Sequence, residues 1–106
     1  MIIYGINTCD TCRKVLKECS NAEFHDIRAQ GFPGDLLTRA HAAFGMDLLN
    51  TRSTTWRSLD ETQRESPVLD LIRAHPTLMK RPLIEMPDGT LYLGWSAPVR
   101  TAVTGA

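Results

Sequence analysis

Met1-Ile2-Ile3-Tyr4-Gly5-Ile6-Asn7-Thr8-Cys9-Asp10-Thr11-Cys12-Arg13-Lys14 opens the chain and decides how it folds. The run through Ile6 is apolar and β-prone, and it reads as a buried strand closed by the turn-forming Asn7-Thr8. A helix is expected from about Cys9 to Cys19. Its inward stripe is Cys12, Val15, Leu16 and Cys19, spaced i, i+3, i+4, i+7. A strand that passes through a short turn into a helix leaves Cys9 at the helix N-terminus.

Working outward, Ala22 to Ile27 reads as a second strand anchored by Phe24 and Ile27, and Gly31-Phe32-Pro33-Gly34 breaks the chain. Asp35 then caps a helix whose apolar side is Leu36, Leu37, Ala40 and Phe44, with Gly45 in the position favoured at helix C-termini. Short helical turns are expected from Leu48 to Arg64, with Trp56 and Leu59 facing the same way. Ser66-Pro67 opens a further helix as cap and first residue, Val68, Leu69 and Ile72 form its apolar side, and Pro76 stops it. Leu83-Ile84-Glu85-Met86 and Thr90-Leu91-Tyr92-Leu93, joined by Pro87-Asp88-Gly89, make the clearest hairpin of the chain. A last helix starts at Ser96-Ala97-Pro98 and ends near Val103. This βαβ start and ββα finish, separated by helices, define a small α/β sandwich.

The chain has 106 residues, the size of one domain. Twelve Lys and Arg balance twelve Asp and Glu, which argues against a nonspecific grip on nucleic acid or anionic lipid. No apolar run approaches the ~20 residues of a membrane span. The opening strand has no basic residue ahead of it and is too short for a signal-peptide core, so a cytoplasmic location is expected. Three cysteines cannot all pair within the chain. In a reducing compartment, Cys9-x-x-Cys12 reads as redox chemistry or metal binding.

The helix start favours the redox reading. Unpaired N–H groups of a first turn and the helix dipole both stabilise a thiolate at that position. Cys9 is therefore read as the exposed attacker. Cys12, one turn later and within disulfide reach, is read as the more buried resolving thiol. Arg13, four residues past Cys9, can turn its guanidinium toward the same end, whereas the carboxylate of Asp10 opposes ionisation. A zinc site would need Cys19 and His25 as further ligands, but Cys19 continues the apolar stripe two turns below Cys9, too far to share the ion. No metal is expected. His25, His41 and His75 read as surface or core-edge residues, and Trp56 and Trp95 as packing.

The run Tyr4 to Lys14, with Phe24-His25-Asp26, Leu49-Asn50-Thr51-Arg52-Ser53-Thr54-Thr55-Trp56-Arg57, Lys80-Arg81-Pro82-Leu83 and Leu93-Gly94-Trp95, resembles the arsenate reductase (ArsC)-like family of thioredoxin-fold proteins. The likeness is greatest to the YffB-like branch, with a Cys-x-x-Cys of the Spx type. The resemblance implies one thioredoxin-like domain with a helical insertion at about residues 35–79. It implies Cys9 as the nucleophile, Arg81 and Arg52 as oxyanion-binding groups beside Arg13, and Pro82 as a cis-proline facing the active cysteine. The arsenate reductases carry a third oxyanion-binding arginine where this chain has Gly94-Trp95, and nearby Arg100 does not match that motif, which argues against arsenate as substrate.

Two functions follow from the resemblance. The first is a thiol-dependent reductase of a disulfide or small oxyanion, with glutathione or another thiol as electron donor and no bound cofactor. The second is a Spx-like redox switch that binds RNA polymerase. Either way, the expected partners are a small thiol or small-molecule substrate or a protein, without direct nucleic-acid or membrane contact.

Overall fold

The computed structural model describes residues 1–105. β1 (Ile2–Gly5) runs parallel to β2 (Glu23–Asp26) and antiparallel to β3 (Leu83–Glu85), which in turn pairs antiparallel with β4 (Leu91–Leu93). The sheet order is β2-β1-β3-β4. Helix α1 (Asp10–Glu18) connects the two parallel strands, and α7 (Ala97–Thr104) follows the hairpin. The architecture is the α/β, thioredoxin-like one.

The register explains the core. Ile3 stands opposite Phe24 on one side and Ile84 on the other, and Ile84 stands opposite Tyr92. Side chains alternate across a sheet, so these four share a face. On that face they meet Val15, Leu16 and Cys19 of the α1 stripe, together with Val99 and Val103 of α7. Tyr4 falls on the opposite face, where its ring lies 5.1 Å from that of His25 and its hydroxyl donates to Glu85 Oε1 at 3.1 Å.

The chain leaves the sheet after Gln30 and returns to it at Arg81, and the stretch between, Gly31–Lys80, is a second compact unit. Within it α3 (Leu36–Phe44) and α6 (Val68–Ala74) bury Leu36, Leu37, Ala40, Leu71 and Ile72. A 3-10 turn at Gly45–Leu48 and another at Pro76–Leu78 are tied together by Asn50 N–H to Leu78 O at 2.7 Å and Lys80 N–H to Leu48 O at 2.9 Å. The two short helices between them, α4 (Thr54–Ser58) and α5 (Glu61–Arg64), are held by caps. Ser53 Oγ accepts from Trp56 N–H, and Asp60 and Gln63 form a reciprocal capping box. Arg64 donates to the Trp56 carbonyl and lies over its ring, which covers the indole, while Leu59 points inward and is buried.

Local differences from the sequence reading have physical causes. Ile27 belongs not to the second strand but to a short helix, α2 (Ile27–Gln30), because Asp26 Oδ1 accepts the N–H groups of Arg28 and Ala29 and turns the chain. Asp35 stands at the start of α3 but its carboxylate pairs with Arg39 instead of capping the helix. Pro67, with extended backbone, is itself the cap of α6, so that helix begins at Val68. Among the described residues no helix is long and apolar enough to cross a membrane.

Ile84 is wholly buried between Ile3 and Tyr92, whereas Met46 is 64% exposed. Ile84→Ala should destabilise the protein by about 2–5 kcal/mol in urea unfolding, and Met46→Ala should change stability by less than about 0.5 kcal/mol.

Candidate active site

Cys9 is the N-cap of α1, with extended backbone (φ −83°, ψ 123°). Its N–H closes a turn onto Ile6 O at 3.0 Å, and its carbonyl accepts the first helical bond from Arg13 at 3.0 Å. These bonds fix the sulfur at the positive end of the helix. Cys9 is partly exposed, whereas Cys12 is fully buried.

The burial of Cys12 depends on Gly5. A Cβ built on Gly5 would overlap the Cys12 sulfur, so α1 approaches β1 closely only because residue 5 has no side chain. This signal was present in the sequence as a glycine inside a strand, which marks close approach of another group, but its partner could not be read there.

The two thiols are driven apart in acidity. Burial pushes Cys9 up, but the N–H and thiol of Cys12 and the guanidinium of Arg81 together outweigh it and hold Cys9 below the usual thiol range. The Cys12 N–H belongs to the first turn of α1, so the helix end acts on the Cys9 sulfur through it. Burial pushes Cys12 up to about 11, and the neighbouring Cys9 sulfur adds to the rise, against the Ile6 backbone and Arg81. At neutral pH the outer sulfur is the better nucleophile and the inner one keeps its proton.

Arg81 belongs to the same compact unit as Cys9 and acts directly on its sulfur, and the Arg81–Pro82 peptide bond is cis. Arg13 Nε donates to the Asn7 carbonyl at 2.9 Å, bracing the β1–α1 loop. Arg52 lies in the second unit, exposed on the turn before α4, where its N–H bonds Asn50 Oδ1 at 3.1 Å. Arg100 Nε is bonded to Glu18 at 2.8 Å. Cys19 ends α1 inside the core, its thiol pushed up by burial and then by Glu18, and His25 packs on Tyr4. Neither joins Cys9 and Cys12.

A thioredoxin-like sheet with a Cys-x-x-Cys at the start of its first helix and an arginine before the cis-proline defines a class of thiol-chemistry proteins. Within that class the chain belongs to the ArsC family, whose model matches residues 4–99. An uncharacterized protein of Haemophilus influenzae is 41% identical, the match covering 89% of this chain and 90% of that one. The solved structure of a YFFB protein superposes with a TM-score of 0.84 at 32% identity, over 99% of this chain and 98% of the other. An arsenate reductase (ArsC) related protein from Brucella melitensis gives a TM-score of 0.69 at 32% identity, covering 95% and 91% of the two chains.

Two measurements check the geometry. Arg81→Gln removes a positive charge that favours the thiolate, so the Cys9 pKa should rise. Iodoacetamide labelling at pH 6, located by mass spectrometry, should slow about 3- to 10-fold, and the two proteins should converge well above pH 9. Gly5→Ala forces a methyl group against the Cys12 sulfur and should cost about 1–3 kcal/mol of stability. Replacing Cys12 by Ala in the same chain should recover part of that loss, measured as a double-mutant cycle.

Proposed function

We propose that this protein is a thiol-dependent reductase that opens a disulfide, or the sulfur adduct of a small oxyanion, with glutathione or a similar low-molecular-weight thiol as electron donor. The observation that carries the proposal is the Cys9 sulfur: partly exposed, at the N-terminus of α1, and held below the usual thiol range by Cys12 and Arg81 against the opposing effect of burial.

In the first step the Cys9 thiolate attacks one sulfur of the substrate disulfide. A new S–S bond forms to Cys9, the substrate S–S bond breaks, and the other half leaves as a thiolate. Arg81 is placed to steady negative charge at the reacting sulfur. Capture of the substrate consumes the charge on Cys9. Part of what held Cys12 protonated is thereby removed, while burial still raises it and Arg81 still favours its ionisation. Cys12 is then easier to ionise only when there is a mixed disulfide to resolve. Its attack on Cys9 expels the substrate thiolate and leaves a Cys9–Cys12 disulfide, which two donor thiols reduce. A donor thiol attacking the mixed disulfide directly bypasses Cys12.

Arg52 is proposed as a second anion-binding group on the family resemblance alone. Arsenate is not the proposed substrate, because Gly94-Trp95 replaces the third oxyanion-binding arginine and Arg100 is engaged with Glu18. We place the reaction in a reducing cytosol, with small molecules as partners.

The test is turnover of the mixed disulfide of glutathione and 2-mercaptoethanol, with glutathione as reductant. Cys9→Ser should abolish activity and Cys12→Ser should retain part of it. Absence of turnover by the wild-type protein with any thiol would remove the reductase reading. Oxidation-dependent retention of RNA polymerase in its place would favour a Spx-like switch.

A further inference from the structure

A cavity of about 340 Å³ opens beside the loop that leads into Cys9, lined by Ile6, Asn7, Thr8, Asp26, Arg28 and Ala29. Its size falls within the ~300–1,000 Å³ range of small-ligand sites. One wall is the end of β1 and its turn, and the other is the end of β2 with the start of α2. Hydrogen bonds from side chains brace both walls. Arg13 Nε holds the Asn7 carbonyl at 2.9 Å, and Asp26 Oδ1 accepts Arg28 and Ala29 N–H at 2.9 and 3.2 Å.

The chemistry of the lining is specific. Ile6, almost fully buried, gives an apolar floor. Asn7 and Thr8 supply hydrogen-bonding side chains, and Ala29 leaves room. Asp26 spends an oxygen on two backbone N–H groups, while Arg28 brings a cation to the rim. Consecutive Cα atoms are ~3.8 Å apart, so Asn7 and Thr8 place the cavity within two residues of Cys9, a span a tripeptide-sized thiol can bridge.

The sheet order adds direction. β1 lies between β2 and β3, so Arg28, just after β2, and Arg81, just before β3, flank β1, the strand that leads to Cys9, on opposite sides. Displacement at sulfur is in line, the incoming thiolate opposite the leaving one, and donor and substrate groups approaching from the two flanks of β1 suit that geometry.

We propose that this cavity is the seat of the electron donor: it takes the carboxylate of a low-molecular-weight thiol such as glutathione on Arg28, across β1 from Arg81. The inference rests on the reductase reading and assigns its donor site. The donor thiolate attacks the Cys9 sulfur of the mixed disulfide, a donor–Cys9 S–S bond forms as the substrate–Cys9 bond breaks, and the substrate thiolate leaves on the Arg81 side. A second donor thiolate then releases the donor disulfide and regenerates the Cys9 thiolate. Two donor thiols are oxidised for each disulfide reduced.

The test uses binding and turnover separately. Titration of the ¹⁵N-labelled protein with S-methylglutathione, which cannot exchange, should shift the amides of Asn7, Thr8, Arg28 and Ala29. Arg28→Gln should weaken this binding about fivefold, as expected for loss of one exposed ion pair. In turnover, wild type should show a lower KM for glutathione than for its glycine monoethyl ester, and Arg28→Gln should erase that preference while leaving the pH profile of Cys9 alkylation unchanged. Ala29→Trp, which fills the cavity without changing charge, should raise the KM for both donors. Unchanged titration in Arg28→Gln, or shifts elsewhere than this loop pair, would overturn the donor site even if the enzyme turns over. Binding at these amides without turnover by any thiol would leave the site standing and remove the reductase reading.

Discussion

The sulfur of Cys12 fills the space that a side chain on residue 5 would need, and much of the site depends on that contact. The absence of a Cβ on Gly5 lets α1 settle close to β1. Close settling buries Cys12 completely, while Cys9, three residues earlier and outside the helix proper, keeps a path to solvent. One steric allowance thus separates two chemically identical thiols into an outer and an inner one.

Electrostatics then amplifies the separation. Burial raises both thiols, but at Cys9 an N–H, a thiol and a guanidinium outweigh it, whereas at Cys12 burial and the neighbouring sulfur outweigh the Ile6 backbone and Arg81. The guanidinium comes from Arg81, distant in sequence. It reaches Cys9 because β3 pairs antiparallel with β1, Leu83 opposite Tyr4. The β1–β3 ladder is therefore as much a part of the site as the helix end. The parallel β1–β2 ladder brings the end of β2 alongside the end of β1, next to the loop that leads into Cys9.

Most elements were legible from local pattern. The alternation and turn chemistry around Pro87-Asp88-Gly89 gave the hairpin, whose Gly89 takes a left-handed conformation (φ 90°). The apolar stripe of α1 and the breaks at Gly34 and Gly45 bounded their helices. Three of the misreadings lie at termini, where one side chain chooses between competing partners, and a fourth is the inner face of α6, which buries Leu71 with Ile72 rather than Val68 and Leu69. Asp26 drew Ile27 out of the strand, Asp35 chose Arg39 over the helix N–H groups, and Pro67 took the cap position from Ser66. Such choices depend on neighbours placed by the fold, which a linear pattern does not contain.

The sequence by itself determined that a Cys-x-x-Cys follows a strand directly and so begins a helix, because apolar periodicity and turn residues act over a few positions. It also contained the family resemblance through motifs spread along the chain. Only the tertiary structure decided which cation faces Cys9. Arg13 was four residues away and Arg81 more than seventy, yet Arg13 spends its Nε on the Asn7 carbonyl and Arg81 acts on the sulfur. A helix neighbour is free to bond whatever its flexible side chain reaches first, whereas a residue fixed at the start of a paired strand has its position set by the sheet.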